Sequence, residues 1–327
     1  MSEVTLALAG DTMLGRMVAE AITTEGPEAL FADEIVEITQ AADLFVLNLE
    51  CCISERGTRW PDPSKPFFFR APPAATKVLT RLGVDCVTLA NNHALDYGPR
   101  GLLDTFEHLR SAGIAWVGAG ATRDEARAPV VLEANGLRLG VLGCSDHPVD
   151  FAAEEGTPGI AYANLHRGLD WLPAAIDALD VDVVLVTPHW GPNMIPRPLR
   201  YVRHAGAALR DAGATLIAGH SAHVFHGVQP PILYDLGDFI DDYAVDSVLR
   251  NDLGLLFLVT LDERGLIRVE GVPLKLAYCH TRLAHGQEAA WIRRRFRAAC
   301  AELGTEVTED GDRVVVTVRE REAPVAR

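Results

Sequence analysis

Polar residues able to bind metals or move protons recur at one kind of place in this chain, directly after a short apolar run. Gly10-Asp11 follows Val4–Ala9, and Asn48-Leu49-Glu50 follows Leu44–Leu47. Asn91-Asn92-His93 follows Cys86–Leu89, and Asp146-His147 follows Leu137–Cys144. His189-Trp190-Gly191 follows Val183–Thr187, Gly219-His220-Ser221-Ala222-His223 follows Leu216–Ala218, and Gly237-Asp238 follows Ile232–Leu236. One such residue alone is ordinarily a capping group. The repetition points instead to a shared site. Carboxylates and an amide offer hard oxygens, and imidazoles offer nitrogen and titrate near neutral pH. His220 and His223 stand on one tight loop and can face one point. The set suits a metal ion, acid–base catalysis, or both.

The apolar runs read as strands and the segments between them as helices. The spacing predicts helices over Gly15–Thr23, Pro27–Ala41, Ala74–Leu82, Gly98–Ser111, Trp171–Leu179 and Tyr201–Asp211. Short strands apolar throughout are strands buried on both faces. Their alternation with helices predicts a layered α/β fold, whose ligands bind at the carboxyl ends of the strands. Gly254–Leu261 and Leu266–Leu274 flank the turn Asp262–Gly265 and read as a hairpin, so the sheet is mixed. Two long stretches, Ser54–Pro73 and Asp146–Asn164, carry the proline and aromatic content of ordered lids. The tail after Glu320 reads as frayed.

Composition excludes several classes. The chain has 327 residues, a formal charge of −15 and a pI of about 5.1. Nucleic acid and anionic membrane both need a basic face, so neither is an expected partner. The basic run Trp291–Arg297 reads as the solvated side of a C-terminal helix. The 6 cysteines form no C-x-x-C pair and read as reduced. The N-terminal apolar run is too short for a signal peptide, and no run reaches the ~20 residues of a transmembrane helix. A cytoplasmic protein is expected, with homo-oligomerisation left open.

Gly10-Asp11, Asn91-Asn92-His93, His189 and Gly219-His220-Ser221-Ala222-His223 resemble the successive motifs of the calcineurin-like metallophosphoesterases. The longer forms Gly10–Gly15, Asn48–Glu50, Ala90–Gly98, His189–Gly191 and Leu233–Phe239 resemble the CapA branch, named for capsule and poly-γ-glutamate synthesis. The resemblance spans roughly residues 4–275. It implies an α/β fold, a four-layer sandwich of two mixed β-sheets flanked by helices. One domain over 1–327 is expected, with a C-terminal helix-and-strand extension about 285–320. It further implies that Asp11, Glu50, Asn92, His189, His220 and His223 hold metal and that His93 is the catalytic histidine. Glu50 stands at the bridging carboxylate, which is Asp in the phosphoesterases.

Met13 stands where the phosphoesterase pattern places a metal histidine. Loss of that nitrogen favours one hard divalent cation (Ca²⁺, Mg²⁺ or Mn²⁺) over a Zn/Fe pair. No organic cofactor is expected. Candidate acid–base pairs are His93 with Asp11 or Asp96, His220 or His223 with Asp238, and His147 with Asp146. Two His/Asp pairs on different faces of a substrate would permit Cα epimerisation, the cation stabilising the enolate charge. CapA-like proteins of this kind also resemble the epimerases of lasso-peptide pathways. The expected activity is therefore metal-dependent epimerisation of a ribosomal precursor peptide. The peptide substrate would be held by Trp60, Phe68, Arg70 and Trp190. The alternatives are a metal-dependent phosphoesterase and an accessory protein of poly-γ-glutamate synthesis.

Overall fold

The computed structural model describes residues 3–319, so the tail beyond Glu320 lies outside the described residues. Its strands show two-faced burial at every second residue. Leu6 and Leu8 of strand Val4–Thr12 enter one apolar cluster, whereas Ala7 and Ala9 enter another. Strand Leu44–Leu49 divides in the same way, with Val46 on one side and Phe45 and Leu47 on the other. In Val183–His189, Val183 and Leu185 share the first cluster, while Val184 and Val186 face a third. Successive side chains of a strand point to opposite faces, so each sheet is covered on both sides.

Two sheets face each other across the shared cluster. The larger runs Thr308–Asp310, Arg313–Thr317, Gly265–Leu276, Leu253–Asp262, Val4–Thr12, Leu44–Leu49, Cys86–Thr88, Ala115–Val117. The smaller runs Val228–Gln229, Ile232–Leu233, Leu216–Ala218, Val183–His189, Leu137–Ser145, Val130–Ala134. Helices Arg16–Thr24, Asp33–Gln40, Ala75–Leu82 and Gly98–Ser111 cover the outer face of the larger sheet. Helices Leu172–Asp177 and Arg200–Asp211 cover that of the smaller. This is the four-layer sandwich, and both sheets are mixed. The expected hairpin is present as Leu253–Asp262 and Gly265–Leu276. Helix Gly286–Ala301 packs Ala289, Ile292, Phe296 and Cys300 against the inter-sheet core, while Arg293 and Arg297 on its outer side pair with Glu309.

Several elements differ from the expectation. The helix expected over Pro27–Ala41 is only Asp33–Gln40, because Phe31 bridges to Thr281 in the sheet layer. Strands Val4–Thr12 and Val183–His189 continue through their motifs, so Asp11 and His189 lie inside strands. Asp238 opens the strand Asp238–Ile240 and pairs in register with Asp11. Strand Val130–Ala134 was not anticipated and pairs with Leu137–Ser145 across Asn135-Gly136, both at positive φ.

All 6 cysteines are buried and unpaired. Among the described residues no helix is long and apolar enough to cross a membrane. Phe45 is fully buried and meets the Phe239 ring edge-on at 6.1 Å. Phe45→Ala is expected to cost about 3–5 kcal/mol in urea unfolding. A loss below about 1 kcal/mol would show that this layer is loosely packed.

Candidate metal centre

The parallel strands of both sheets deliver their polar ends to one place. Asp11 pairs in register with Asn48 on one side and Asp238 on the other. His189 lies opposite Ser145 and bridges to His220. The motif glycines allow this convergence. A Cβ on Gly10 would lie 1.9 Å from the Gly237 carbonyl oxygen, and one on Gly219 would lie 2.3 Å from Trp190 Nε1.

The centre is a set of buried ligand atoms, several of them without a partner. Among the described residues, Asp11 Oδ2, both Glu50 carboxylate oxygens, Asn92 Oδ1, His189 Nε2 and His220 Nε2 are buried without a hydrogen bond. Asp11 Oδ1 accepts from Asn48 Nδ2 at 2.7 Å. Asp11 Oδ2 lies 3.1 Å from His223 Nδ1, and His220 Nδ1 lies 3.8 Å from Asp11 Oδ1. His189 and His220 meet Nδ1 to Nδ1 at 2.7 Å. One of those nitrogens must donate, and that ring then presents a bare lone pair at its buried Nε2. Ligand atoms of Asp11, His189 and His220, and of Asp11, His223 and Asp238, cluster within 4.8 Å.

The electrostatics call for a cation. Burial, reinforced by the Asp11 charge, pushes the Glu50 carboxyl well above its usual range. Burial drives His220 down to about 4 despite the Asp11 charge, and drives His189 well below its ordinary value, helped by His220. Both rings are therefore neutral at neutral pH, and the one that donates at Nδ1 keeps a free Nε2 lone pair. A buried carboxylate without a donor is costly, and a divalent ion removes that cost. Asp11, His189 and His220, whose ligand atoms cluster, thus fit a divalent cation, with the orphaned oxygens of Glu50 and Asn92 as further donors. Met13 is buried and its Sδ accepts the Gly15 N–H at 3.1 Å, so this position supplies no nitrogen ligand. His223 bonds through Nδ1 to Asp238 Oδ1 at 2.8 Å. Burial would lower His223, but the Asp238 and Glu50 charges and the Asp11 carboxylate beside it hold it well above its ordinary value.

Two further His/Asp pairs border the set. His93 Nδ1 meets Asp96 Oδ2 at 2.6 Å, and its Nε2 lies 3.8 Å from Glu50 Oε1. Asp96 also accepts the Phe69 N–H at 2.6 Å and lies 3.0 Å from Lys65 Nζ. Burial lowers His93 to about 4 even though Asp96 raises it. His147 Nδ1 bonds to Asp146 Oδ1, and its ring centroid is 5.1 Å from that of His189. Asp146 Oδ2 accepts from Tyr201 Oη at 2.8 Å.

The expected substrate contacts fare differently. Trp190 is 2% exposed, and its Nε1 donates to the Tyr234 carbonyl at 2.8 Å. It belongs to the outer core of the smaller sheet, where it packs against Tyr234, and not to the cluster of orphaned ligand atoms. Arg70 stacks its guanidinium on Tyr97 at 4.2 Å, which commits it to packing. Trp60 packs edge-on against Phe151 at 4.8 Å and joins the two long loops. Phe68 lies beneath Arg59 and Lys65, while its neighbour Phe69 stacks on His93 at 3.9 Å. Phe69 is therefore the aromatic residue of the centre.

Other residues were not anticipated. Asp235 accepts from the backbone N–H groups of Ala222 at 2.8 Å and Gly237 at 2.9 Å, bracing the loop on which Ser221 and His223 take positive φ. Asn91 donates to Asn48 Oδ1 and the Leu49 carbonyl, both at 2.9 Å, and so aims Asn92 elsewhere.

Without metal, Glu50→Gln is expected to raise the melting temperature, because it replaces a buried ionisable carboxyl whose oxygens have no donor with a neutral amide. The same substitution is expected to abolish the stabilisation that Mn²⁺ gives the unaltered protein. Melting curves with EDTA and with Mn²⁺ check both, and an equal Mn²⁺ shift in the two proteins would exclude Glu50 as a ligand.

The family model for the bacterial capsule synthesis protein PGA_cap matches residues 5–243. A probable polyglutamine synthesis accessory protein of Mycobacterium tuberculosis is 30% identical over 313 residues, covering 85% of this chain and 78% of its own. The PGA biosynthesis protein CapA of Bacillus subtilis is 29% identical over 273 residues, covering 82% and 70%. Among solved structures, a putative 5′-nucleotidase of Staphylococcus aureus superposes with a TM-score of 0.45 at 12% identity, covering 93% of this chain and 58% of its own. The NAD nucleotidase of Haemophilus influenzae gives 0.43 at 10%, covering 92% and 59%. With the ordered motifs from Asp11 to Asp238 gathered in one centre, and with relatives of capsule and polymer synthesis matching along most of its length, the chain belongs to the PGA_cap family of bacterial capsule synthesis proteins.

Proposed function

We propose that the centre is a metal-assisted acid–base site acting on a peptide, with inversion at a Cα as its reaction. One observation carries this reading. Two His/Asp pairs border the orphaned ligand atoms at different edges, His93–Asp96 against Glu50 and His147–Asp146 against His189. In each pair the carboxylate fixes the ring and stabilises the imidazolium that forms when the ring takes a proton. One ring removes the Cα proton, and the other, entering protonated, returns a proton to the opposite face. The proton count balances, and water exchange resets both rings.

A divalent ion held by Asp11, His189 and His220, with Glu50 and Asn92 as further donors, would supply charge stabilisation to the enolate oxygen. The absence of a nitrogen ligand at Met13 supports a single hard ion of the Ca²⁺, Mg²⁺ or Mn²⁺ type. The protein's own contributions are orientation and exclusion of water. Lys65 binds the Asn92 carbonyl at 2.8 Å as well as Asp96, so the loop carrying it straps down the His93 turn.

A second reading has its own support. The relatives named above are described as an accessory protein of polyglutamine synthesis and as a PGA biosynthesis protein. On that reading the same centre serves polymer assembly, and the substrate is an amide-linked polymer or its growing end.

Short synthetic peptides incubated with the Mn²⁺-supplemented protein in D₂O distinguish the readings. Deuterium at a Cα, seen by mass spectrometry, is expected. Net inversion should fall at least about a hundredfold in His93→Ala and in His147→Ala, the usual scale of acid–base assistance. Steady turnover of bis(p-nitrophenyl) phosphate without Cα exchange would replace the reading by phosphoesterase activity. Peptide binding with neither reaction would leave the accessory role.

A further inference from the structure

A cation and three aromatic rings stand beside the centre, and the chemistry above does not use them. Arg16 opens the first helix at φ 51°, in the left-handed region that a non-glycine residue enters at a cost. Its guanidinium lies over the rings of Phe67 at 5.4 Å, Phe69 at 5.5 Å and Tyr243 at 5.8 Å. Its Nε donates to Asp242 Oδ2 at 3.0 Å, and Nη2 lies 2.8 Å from Asp242 Oδ1. This pair holds the guanidinium beside Asp242 and hydrogen-bonds one of its five donors. The side chain remains 33% exposed, and no other acceptor engages it among the described residues.

The cage shares two walls with the metal centre. Phe69 stacks on His93 at 3.9 Å, and Tyr243 meets His223 edge-on at 5.2 Å. Tyr243 Oη is buried without a hydrogen-bond partner among the described residues. The outer wall is Phe67, which is 54% exposed and stacked on Phe69. An exposed phenylalanine and a pinned guanidinium with donors to spare thus meet at the edge of the site, and the Tyr243 ring between them and the centre carries its orphaned hydroxyl toward the carboxylates there. A packing arginine would need neither the exposed ring nor the unpartnered hydroxyl.

We infer that Arg16 and Tyr243, walled by Phe67 and Phe69, form a substrate-anchoring subsite for an oxyanion joined to a flat or apolar group. A carboxylate and a phosphate share that chemistry. Arg16 offers remaining N–H donors to the oxyanion, Tyr243 offers its O–H, and the rings cover the apolar part. Carboxylates abound nearby, but Asp242 is paired with Arg16, and a bound divalent ion adds positive charge. The inference deepens the proposed reading by naming the class of group that the same site anchors.

Calorimetry on the full, Mn²⁺-supplemented chain tests it with N-acetyl-L-phenylalanine, the corresponding amide and inorganic phosphate as probes. The acid is expected to bind at least about tenfold more tightly than its amide, the value of one charge-assisted hydrogen bond. Arg16→Lys, which keeps charge but not the fork, should weaken the acid about tenfold, and Tyr243→Phe a few-fold. Phe67→Ala, at an exposed position the fold does not need, should also weaken it and keeps the test decisive if Arg16→Lys fails to fold. Losses confined to phosphate would support the subsite and assign the oxyanion to a phosphate group, whereas losses confined to the acid assign it to a peptide carboxylate. Unchanged affinity for both anions in every variant would overturn the inference. Because the readout is binding, Cα exchange persisting with unchanged affinities would sink the subsite alone. Affinities that respond as expected without any turnover would sink the acid–base reading alone.

Discussion

Unpartnered ligand atoms in the interior are the constraint around which the rest of this structure is arranged. Glu50 has two buried oxygens with no donor, and Asp11, Asn92, His189 and His220 each add one more orphan beside it. Every such atom opposes folding unless something positive is shared among them. The nearest protein cations are committed elsewhere, since His223, 4.0 Å from Glu50 Oε2, is bonded to Asp238, Lys65 is engaged by Asp96 and Arg16 by Asp242. A divalent ion is the simplest object that satisfies the set at once. Stability given up in the metal-free protein is thus converted into affinity for the ion, and the scaffold must be stiff enough to keep the orphans in place.

That stiffness comes from the four-layer packing. Strands buried on both faces cannot slide by one residue without exchanging their two apolar sets, so register is strongly determined. The register in turn places Asp11 beside Asn48 and Asp238, and His189 beside Ser145. Short-range braces finish the work: Asp235 holds the loop bearing His220 and His223, Asn91 holds the turn bearing Asn92 and His93, and Asp96 ties that turn to Phe69. The long loop through Trp60 and Lys65 lies over this turn and meets the second long loop at Phe151.

Much of this was legible in the sequence. The run of apolar segments each closed by Asp, Asn, Glu or His predicts both the layered fold and the strand end at which the site lies. What could not be read was the direction of individual side chains. Trp190 adjoins His189 in the chain but faces the opposite side of the sheet, and Phe69 rather than Phe68 turns inward, because neighbours in extended backbone alternate. Asn48 and Asn91 stand at strand ends that the sequence marks, but their bracing roles, like that of Asp235, act through backbone and amide hydrogen bonds that depend on loop closure. The strand Val130–Ala134 did carry a signal, since Asn135-Gly136 between apolar stretches favours a tight hairpin.

Met13 is the departure on which the functional reading turns. Its buried thioether, occupied by the Gly15 N–H, supplies no nitrogen ligand, and the orphaned atoms of Asp11, Glu50, Asn92, His189 and His220 are the candidate ligand set. Anomalous diffraction from crystals of the protein grown with Mn²⁺ tests this most directly. The account predicts one peak at coordination distance from Asp11, His189 and His220, with Glu50 and Asn92 as further ligands. Two full peaks bridged by Glu50, or no peak among these residues, would contradict it.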